Sequence, residues 1–123
     1  MTYTIKQVSE KLNISAYTLR YYEKEKVIAN ITRDDYGNRL YGENDISWIE
    51  TVKCLKETGM KLCDIKKIVE LSCQEDSDKN IPERKEILLK HRKQVVKQIE
   101  DMKNSLSKID IKIAFYDGKI SKC

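Results

Sequence analysis

The sequence predicts a mainly α chain: a small domain holding a helix-turn-helix and a short β-hairpin, followed by one long C-terminal helix. Three observations carry that prediction. One proline and four glycines in 123 residues leave few enforced turns and argue against a sandwich of short strands. Two helix-start signals stand close together, at Thr4 and at Ser15. From Leu88 onward, apolar side chains recur every seven residues.

The length admits one domain, or a small domain with an extension, since a single core takes roughly 100–200 residues. A large catalytic barrel or a dinucleotide-binding enzyme is excluded; no enzyme activity and no cofactor are expected. Lysine and arginine number 24 against 20 aspartates and glutamates, a formal net charge of +4 that mildly favours a polyanionic partner. The N-terminal Met1-Thr2-Tyr3-Thr4-Ile5-Lys6 has no apolar leader, and no run approaches the roughly 18 apolar residues of a membrane helix. A soluble, cytoplasmic protein without a membrane partner is expected. Cys54, Cys63, Cys73 and Cys123 form no C-x-x-C, and His91 is the only histidine, so neither a zinc module nor a secreted disulfide framework is present. Reduced thiols and no metal site are expected, with His91 a solvated residue of the long helix.

Thr4-Ile5-Lys6-Gln7 reads as a capping box that opens the first helix, with Ile5, Val8 and Leu12 as its apolar side. Asn13-Ile14-Ser15 breaks it, and Ser15 caps a second helix over about 16–25. Leu19 and Tyr22, three apart, face inward, which leaves Tyr17, Thr18, Arg20 and Tyr21 on or near the outer side. Around Ile31-Thr32 the pattern turns β-like, passes through a polar Asp34-Asp35-Tyr36-Gly37-Asn38 tip and returns as Arg39-Leu40-Tyr41, a hairpin in which Gly37 supplies positive φ. A hairpin after a helix-turn-helix is a wing.

Gly42 or Asn44 opens a third helix carrying Ile46, Trp48, Ile49, Val52 and Leu55, with Cys54 on the other side and Gly59 beyond its end. A fourth, over about 62–71, places Ile65, Ile68 and Val69 inward and Cys63 in its first turn. The organisation is thus a winged helix-turn-helix domain over 1–73, a polar linker over 74–81, a helix over 82–117 starting at Pro82, and a tail over 118–123 starting at Gly118. Leu88, Val95, Met102, Ile109 and Tyr116, with Ile99, Leu106 and Ile113 four places on, make a heptad seam interrupted only by Arg92. A 36-residue helix spans roughly 54 Å, longer than anything in the small domain that would cover it. The seam therefore pairs with a second copy; packing along its own domain is the alternative.

The run Tyr3-Thr4-Ile5, Val8-Ser9, Ile14-Ser15-Ala16-Tyr17-Thr18-Leu19-Arg20-Tyr21-Tyr22-Glu23, then Tyr36-Gly37-Asn38-Arg39-Leu40-Tyr41, Asp45-Ile46 and Thr58-Gly59-Met60 resembles the MerR family of transcriptional regulators over essentially the whole chain. The resemblance implies a homodimer held by an antiparallel coiled coil that binds and distorts double-stranded promoter DNA so that RNA polymerase can engage it. It also implies that Tyr17, Thr18, Arg20 and Tyr21 lie at the recognition helix and that Arg39 and Tyr41 clasp phosphates from the wing, with Lys61 a further phosphate contact or an ordinary solvated lysine. The chemistry agrees: a presented helix fits the major groove, arginine supplies a forked donor, and tyrosine hydroxyls reach backbone oxygens. Core packing of Tyr21 and Tyr22, and a purely supporting role for Arg39 and Tyr41, are the plainer readings. The sequence departs from the family pattern at Lys26-Val27-Ile28-Ala29-Asn30, where a Gly-Leu-Leu-Pro-Pro type run is common, and at Asn38, where an aromatic is usual.

The segment Trp48-Ile49, Val52-Lys53-Cys54-Leu55, with Tyr116-Asp117-Gly118-Lys119, is similar to the AdhR/NmlR subgroup, which implies a response to aldehydes and other thiol-reactive electrophiles through Cys54. Lys53, Lys56 or a partner's basic groups would favour the thiolate, the nucleophilic form. Cys63, at a helix N-terminus, is the second candidate, and an inert Cys54 is the plain alternative. A metal-responsive regulator and a DNA-architectural protein without a sensor are the competing functions. Residues 1–45 hold seven basic and seven acidic side chains, and residues 82–123 hold eleven and six, so the surplus charge lies in the long helix and not in the DNA reader.

Overall fold

The structure is a computed structural model describing residues 1–121. Its helices are α1 (Ile5–Leu12), α2 (Ala16–Lys24), α3 (Glu43–Glu57), α4 (Leu62–Ser72) and α5 (Ile81–Ser121), with a two-stranded sheet of β1 (Thr32–Arg33) and β2 (Arg39–Leu40) between α2 and α3. Two compact units divide at Ile87/Leu88, so the first turns of α5 group with the N-terminal unit.

Local chemistry explains the helix starts. At α1 the Gln7 N–H donates to Thr4 Oγ1 (3.2 Å) and the Thr4 N–H to Gln7 Oε1 (2.8 Å), satisfying two donors that a helix start leaves open. At α2 the Thr18 N–H donates to Ser15 Oγ at 3.0 Å. At α3 the Gly42 N–H donates to Asp45 Oδ2 at 2.8 Å.

Three helix ends use one device, the reversal through a left-handed residue. After α3, Gly59 (φ +97°) lets Met60 N–H reach Leu55 O at 2.9 Å and Gly59 N–H reach Lys56 O at 3.1 Å. After α1 the left-handed residue is Asn13 (φ +54°), and Ile14 N–H reaches Ser9 O at 3.2 Å. After α2 it is Lys26 (φ +61°), with Val27 N–H on Tyr22 O at 2.9 Å and Lys26 N–H on Glu23 O at 3.1 Å. Lys26 stands where the resemblance implies a glycine, and its backbone is of the glycine type with a side chain unsuited to it. The reversal buries Val27 beside Tyr22 in the same core cluster.

That core gathers Val8, Leu12, Ile14, Leu19, Tyr22, Ile28, Ile46, Ile49, Val52, Leu55, Met60, Ile65 and Ile68 from α1 to α4, each worth about 1.5–3 kcal/mol when fully buried. Polar ties cross it. The Trp48 indole N–H donates to Val27 O (2.8 Å), Lys53 Nζ to Leu12 O (2.8 Å), and Lys66 Nζ pairs with Glu25 Oε2 (2.8 Å). The Lys66 pair holds the Glu25 carboxyl below its ordinary range and Lys66 above its own.

Three expectations need correction. The segment expected as a plain linker contains a 3-10 turn, Ser77–Asn80, because Asn80 Nδ2 donates to Leu71 O (2.7 Å) and Arg84 holds both Asn80 Oδ1 and Ser77 O at 2.8 Å. The long helix does not stop at Gly118 but runs through it to Ser121; one glycine costs a helix only about 1 kcal/mol. Its 41 residues span about 60 Å. His91, expected in solvent, is buried. Cys123 lies outside the described residues.

The strained helix end yields a stability test. Lys26→Gly removes the left-handed penalty of about 1–2 kcal/mol and restores some unfolded-chain entropy of about 0.5–1 kcal/mol. A net gain of about 0.5–1 kcal/mol in urea unfolding, at fixed chain concentration, is the expected result.

Candidate nucleic-acid interface

The N-terminal unit sets one face of α2 beside the hairpin. Because Leu19 and Tyr22 go into the core, Tyr17 is left 77% exposed and Tyr21 41% exposed, with Arg20 exposed between them. Thr18 is half-buried, and its hydroxyl lies 2.8 Å from Ser15 Oγ, so part of its bonding capacity serves the helix cap. Lys61 is exposed at the start of α4.

The hairpin is built rigidly. Thr32 pairs with Leu40 and Arg33 with Arg39, while Tyr3 and Tyr41 exchange two N–H···O bonds of 2.8 Å, so the N-terminal segment lies against the far side of β2 as an unforeseen neighbour. At the tip, Asp34 Oδ1 accepts the N–H groups of Tyr36 and Asn38, each at 2.9 Å, and Oδ2 accepts Asn38 Nδ2 at 3.3 Å. The bonds from Asn38, with that from the Tyr36 backbone, hold the Asp34 carboxyl below its ordinary range. Gly37 takes φ +82° there, as expected.

Tyr41 requires a correction. Expected as a phosphate clasp, it is fully buried, and its hydroxyl has no hydrogen-bond partner among the described residues. Its backbone pairing with Tyr3 turns the ring into the core, and burial pushes the phenol pKa up. The charges of Arg39, Arg20 and Arg33 oppose that upward shift and the charge of Glu23 adds to it. Arg39 Nε donates to Glu23 Oε1 at 2.7 Å and Arg33 Nη2 donates to the same oxygen at 3.2 Å. Sequence reading singled out Arg20 and Arg39 but missed Arg33 and the role of Glu23; the clue was two arginines flanking a turn across from an acid at the end of a helix.

The thiols sit apart from this face in sequence. Cys54 is exposed on α3, opposite the buried Ile49, Val52 and Leu55, and Cys63 is exposed in the first turn of α4. Lys53 is committed to Leu12 O and lies 4.0 Å from Glu57. Among the described residues no three histidine, cysteine or acidic side chains converge as metal ligands, and no helix is long and apolar enough to cross a membrane. On the unit beyond Leu88, Leu88, Ile99, Met102, Leu106, Ile109, Ile113 and Tyr116 are exposed and Val95 is half-buried. Ile99, Met102, Leu106 and Ile109 line a shallow apolar groove.

The sequence matches the family described as MerR HTH family regulatory protein over residues 3–72, and that described as MerR, DNA binding over residues 46–110. It is 44% identical over 116 residues to an HTH-type transcriptional regulator of Haemophilus influenzae, covering 94% of this chain and 84% of that protein. It is 36% identical over 93 residues to the HTH-type transcriptional regulator AdhR of Bacillus subtilis, covering 75% of this chain and 64% of that protein. Among solved structures it is similar to HiNmlR, a MerR family regulator lacking the sensor domain, bound to promoter DNA, with a TM-score of 0.85 and 43% identity over 95% of this chain and 91% of that one.

The buried phenol gives a direct check. Removing an unpaired buried hydroxyl while keeping the ring leaves packing intact, so Tyr41→Phe should be neutral or stabilising by up to about 1 kcal/mol in thermal unfolding. A clear loss of stability would mean that the hydroxyl is bonded.

Proposed function

The chain belongs to the MerR family of helix-turn-helix regulators, and from that premise we propose that it is a homodimeric, sequence-specific regulator of transcription that distorts promoter DNA in response to thiol-reactive electrophiles. It is a DNA-binding regulator and not an enzyme. The observation that carries the reading is the exposed row Tyr17, Arg20 and Tyr21 on α2 next to an arginine-bearing wing. In this reading α2 enters the major groove, where Arg20 supplies a forked donor to base edges or phosphate and the tyrosine hydroxyls reach backbone oxygens. Arg39 and Lys61 contact phosphate. Tyr41, buried next to the end of β2, anchors the wing to the core and does not itself touch DNA.

Dimerisation follows from the seam. Leu88, Val95, Ile99, Met102, Leu106, Ile109, Ile113 and Tyr116 recur at heptad spacing on one helix and lie largely in water in the single chain. A second copy of the same stripe, antiparallel, removes that surface from water. Two readers on one dimer then match two half-sites, and deforming the base pairs between them supplies control without further base contacts, presenting the promoter to RNA polymerase.

For the input, the reading rests on likeness to AdhR and on the exposure of Cys54. Alkylation or oxidation of its thiolate alters the bulk and polarity of α3's outer face. Cys63 is the second candidate.

Two variants test these statements. Arg20→Ala should weaken binding to a duplex selected by the wild type about 10–100-fold, the worth of a good base or phosphate contact, with the dimer unchanged in sedimentation. Unchanged affinity would remove Arg20 from the interface. Cys54→Ser should bind the same duplex normally, yet transcription with purified polymerase should no longer change on adding an aldehyde or diamide. A normal response would move the sensor to Cys63, to be tested by Cys63→Ser.

A further inference from the structure

The wing carries an arrangement that is unfavourable by itself. Arg33 and Arg39 are direct cross-strand partners, and like charges placed opposite one another destabilise a strand pair. Only one acid answers them among the described residues. Glu23, in the last turn of α2, receives both guanidiniums on a single oxygen, at 2.7 Å from Arg39 and 3.2 Å from Arg33. The side chains of Glu23 and Arg39 are 22% and 23% exposed, so the bond between them is partly shielded from water, while Arg33 is 46% exposed. Two cations against one anion leave a net positive charge at the junction. Arg39 reaches Glu23 through Nε, and its two terminal nitrogens have no protein partner among the described residues.

We propose that Glu23 is a positioning residue for DNA recognition: its carboxylate joins the two facing wing arginines to α2, and so sets where the wing stands relative to the recognition helix. The proposal rests on the DNA-binding reading above and adds Arg33 to the phosphate-facing set. Glu23 reaches DNA only through the arginines. With Nε held by the carboxylate, the Arg39 fork is oriented and its outer donors remain available to a phosphate, which lowers the ordering cost of that contact. Arg33 is held from two sides, by Glu23 and by the Gly37 carbonyl at 3.0 Å.

The sign of one measurement separates positioning from charge. An acid near a phosphate backbone repels it, so if Glu23 contributed only its charge, removing it would tighten binding to any DNA. Positioning requires the reverse for the recognised duplex. The test uses the full-length protein with a duplex selected by the wild type from a random library, a scrambled duplex of equal length, and two salt concentrations. Far-UV circular dichroism and thermal midpoints verify folding.

Glu23→Ala should weaken the selected duplex by at least about tenfold, a loss of roughly 1.4 kcal/mol, and leave the scrambled duplex unchanged or tighter. Glu23→Gln keeps an acceptor oxygen and should fall between wild type and alanine; it also preserves the sign test if the alanine variant does not fold. In an Arg39→Ala background, Glu23→Ala should cost less than it does in the wild type, because one of the two arginines it works through is gone and only Arg33 remains. Equal or tighter binding of the selected duplex by either Glu23 variant overturns the proposal, as does full additivity with Arg39→Ala. If the wild type selects no duplex, the DNA-binding reading fails first, and the two failures are thereby distinguished.

Discussion

Burial of Leu19 and Tyr22 sets the rotation of α2 about its own axis, and that rotation decides which side chains of the helix meet solvent. Both residues join a core drawn from four helices, with Val8 and Leu12 from α1 and Ile46, Ile49 and Val52 from α3. A helix turns 100° per residue, so committing positions 19 and 22 inward commits 17, 20 and 21 outward. The exposed row on α2 is therefore a consequence of hydrophobic packing and requires no separate organising force. The wing depends on the same fixed helix, because Glu23 is carried one residue beyond Tyr22.

The helix ends do the rest of the placement. Asn13, Lys26 and Gly59 each take a left-handed backbone, and each lets the next residue bond back to the helix it has just left. Short reversals of this kind keep α1, α2, α3 and α4 close enough for Lys53 to reach the end of α1 and Lys66 the end of α2. At two of the three ends the residue is one that accommodates positive φ readily. At Lys26 it is not, and the buried Val27 with its bond to Tyr22 O supplies the compensation.

Bulk charge does not make this domain a DNA reader. Its first 45 residues contain equal numbers of basic and acidic side chains, yet Arg33 and Arg39 are brought together on a single carboxylate, that of Glu23. Local concentration of charge counts for more than the total, since screening limits the reach of an exposed charge to about 8–10 Å at ordinary ionic strength. The acids are spent elsewhere: Glu25 on Lys66, Asp34 on the turn of the wing, Asp45 on the start of α3.

The sequence by itself determined what is local or periodic. Capping at Thr4 and Ser15, the inward pair on α2, the glycine of the wing turn and the heptad of α5 all follow from signals within a few residues of one another, and the family was legible in the motif around Arg20. Tertiary structure alone decided which face of the wing enters the core. That choice buried Tyr41, which pattern reading places at the surface, and it paired Tyr3 with a residue 38 positions away. It also brought Glu23 to arginines 10 and 16 positions ahead. Such contacts carry no periodic mark in the chain, because they are set by where rigid elements meet after the core has closed.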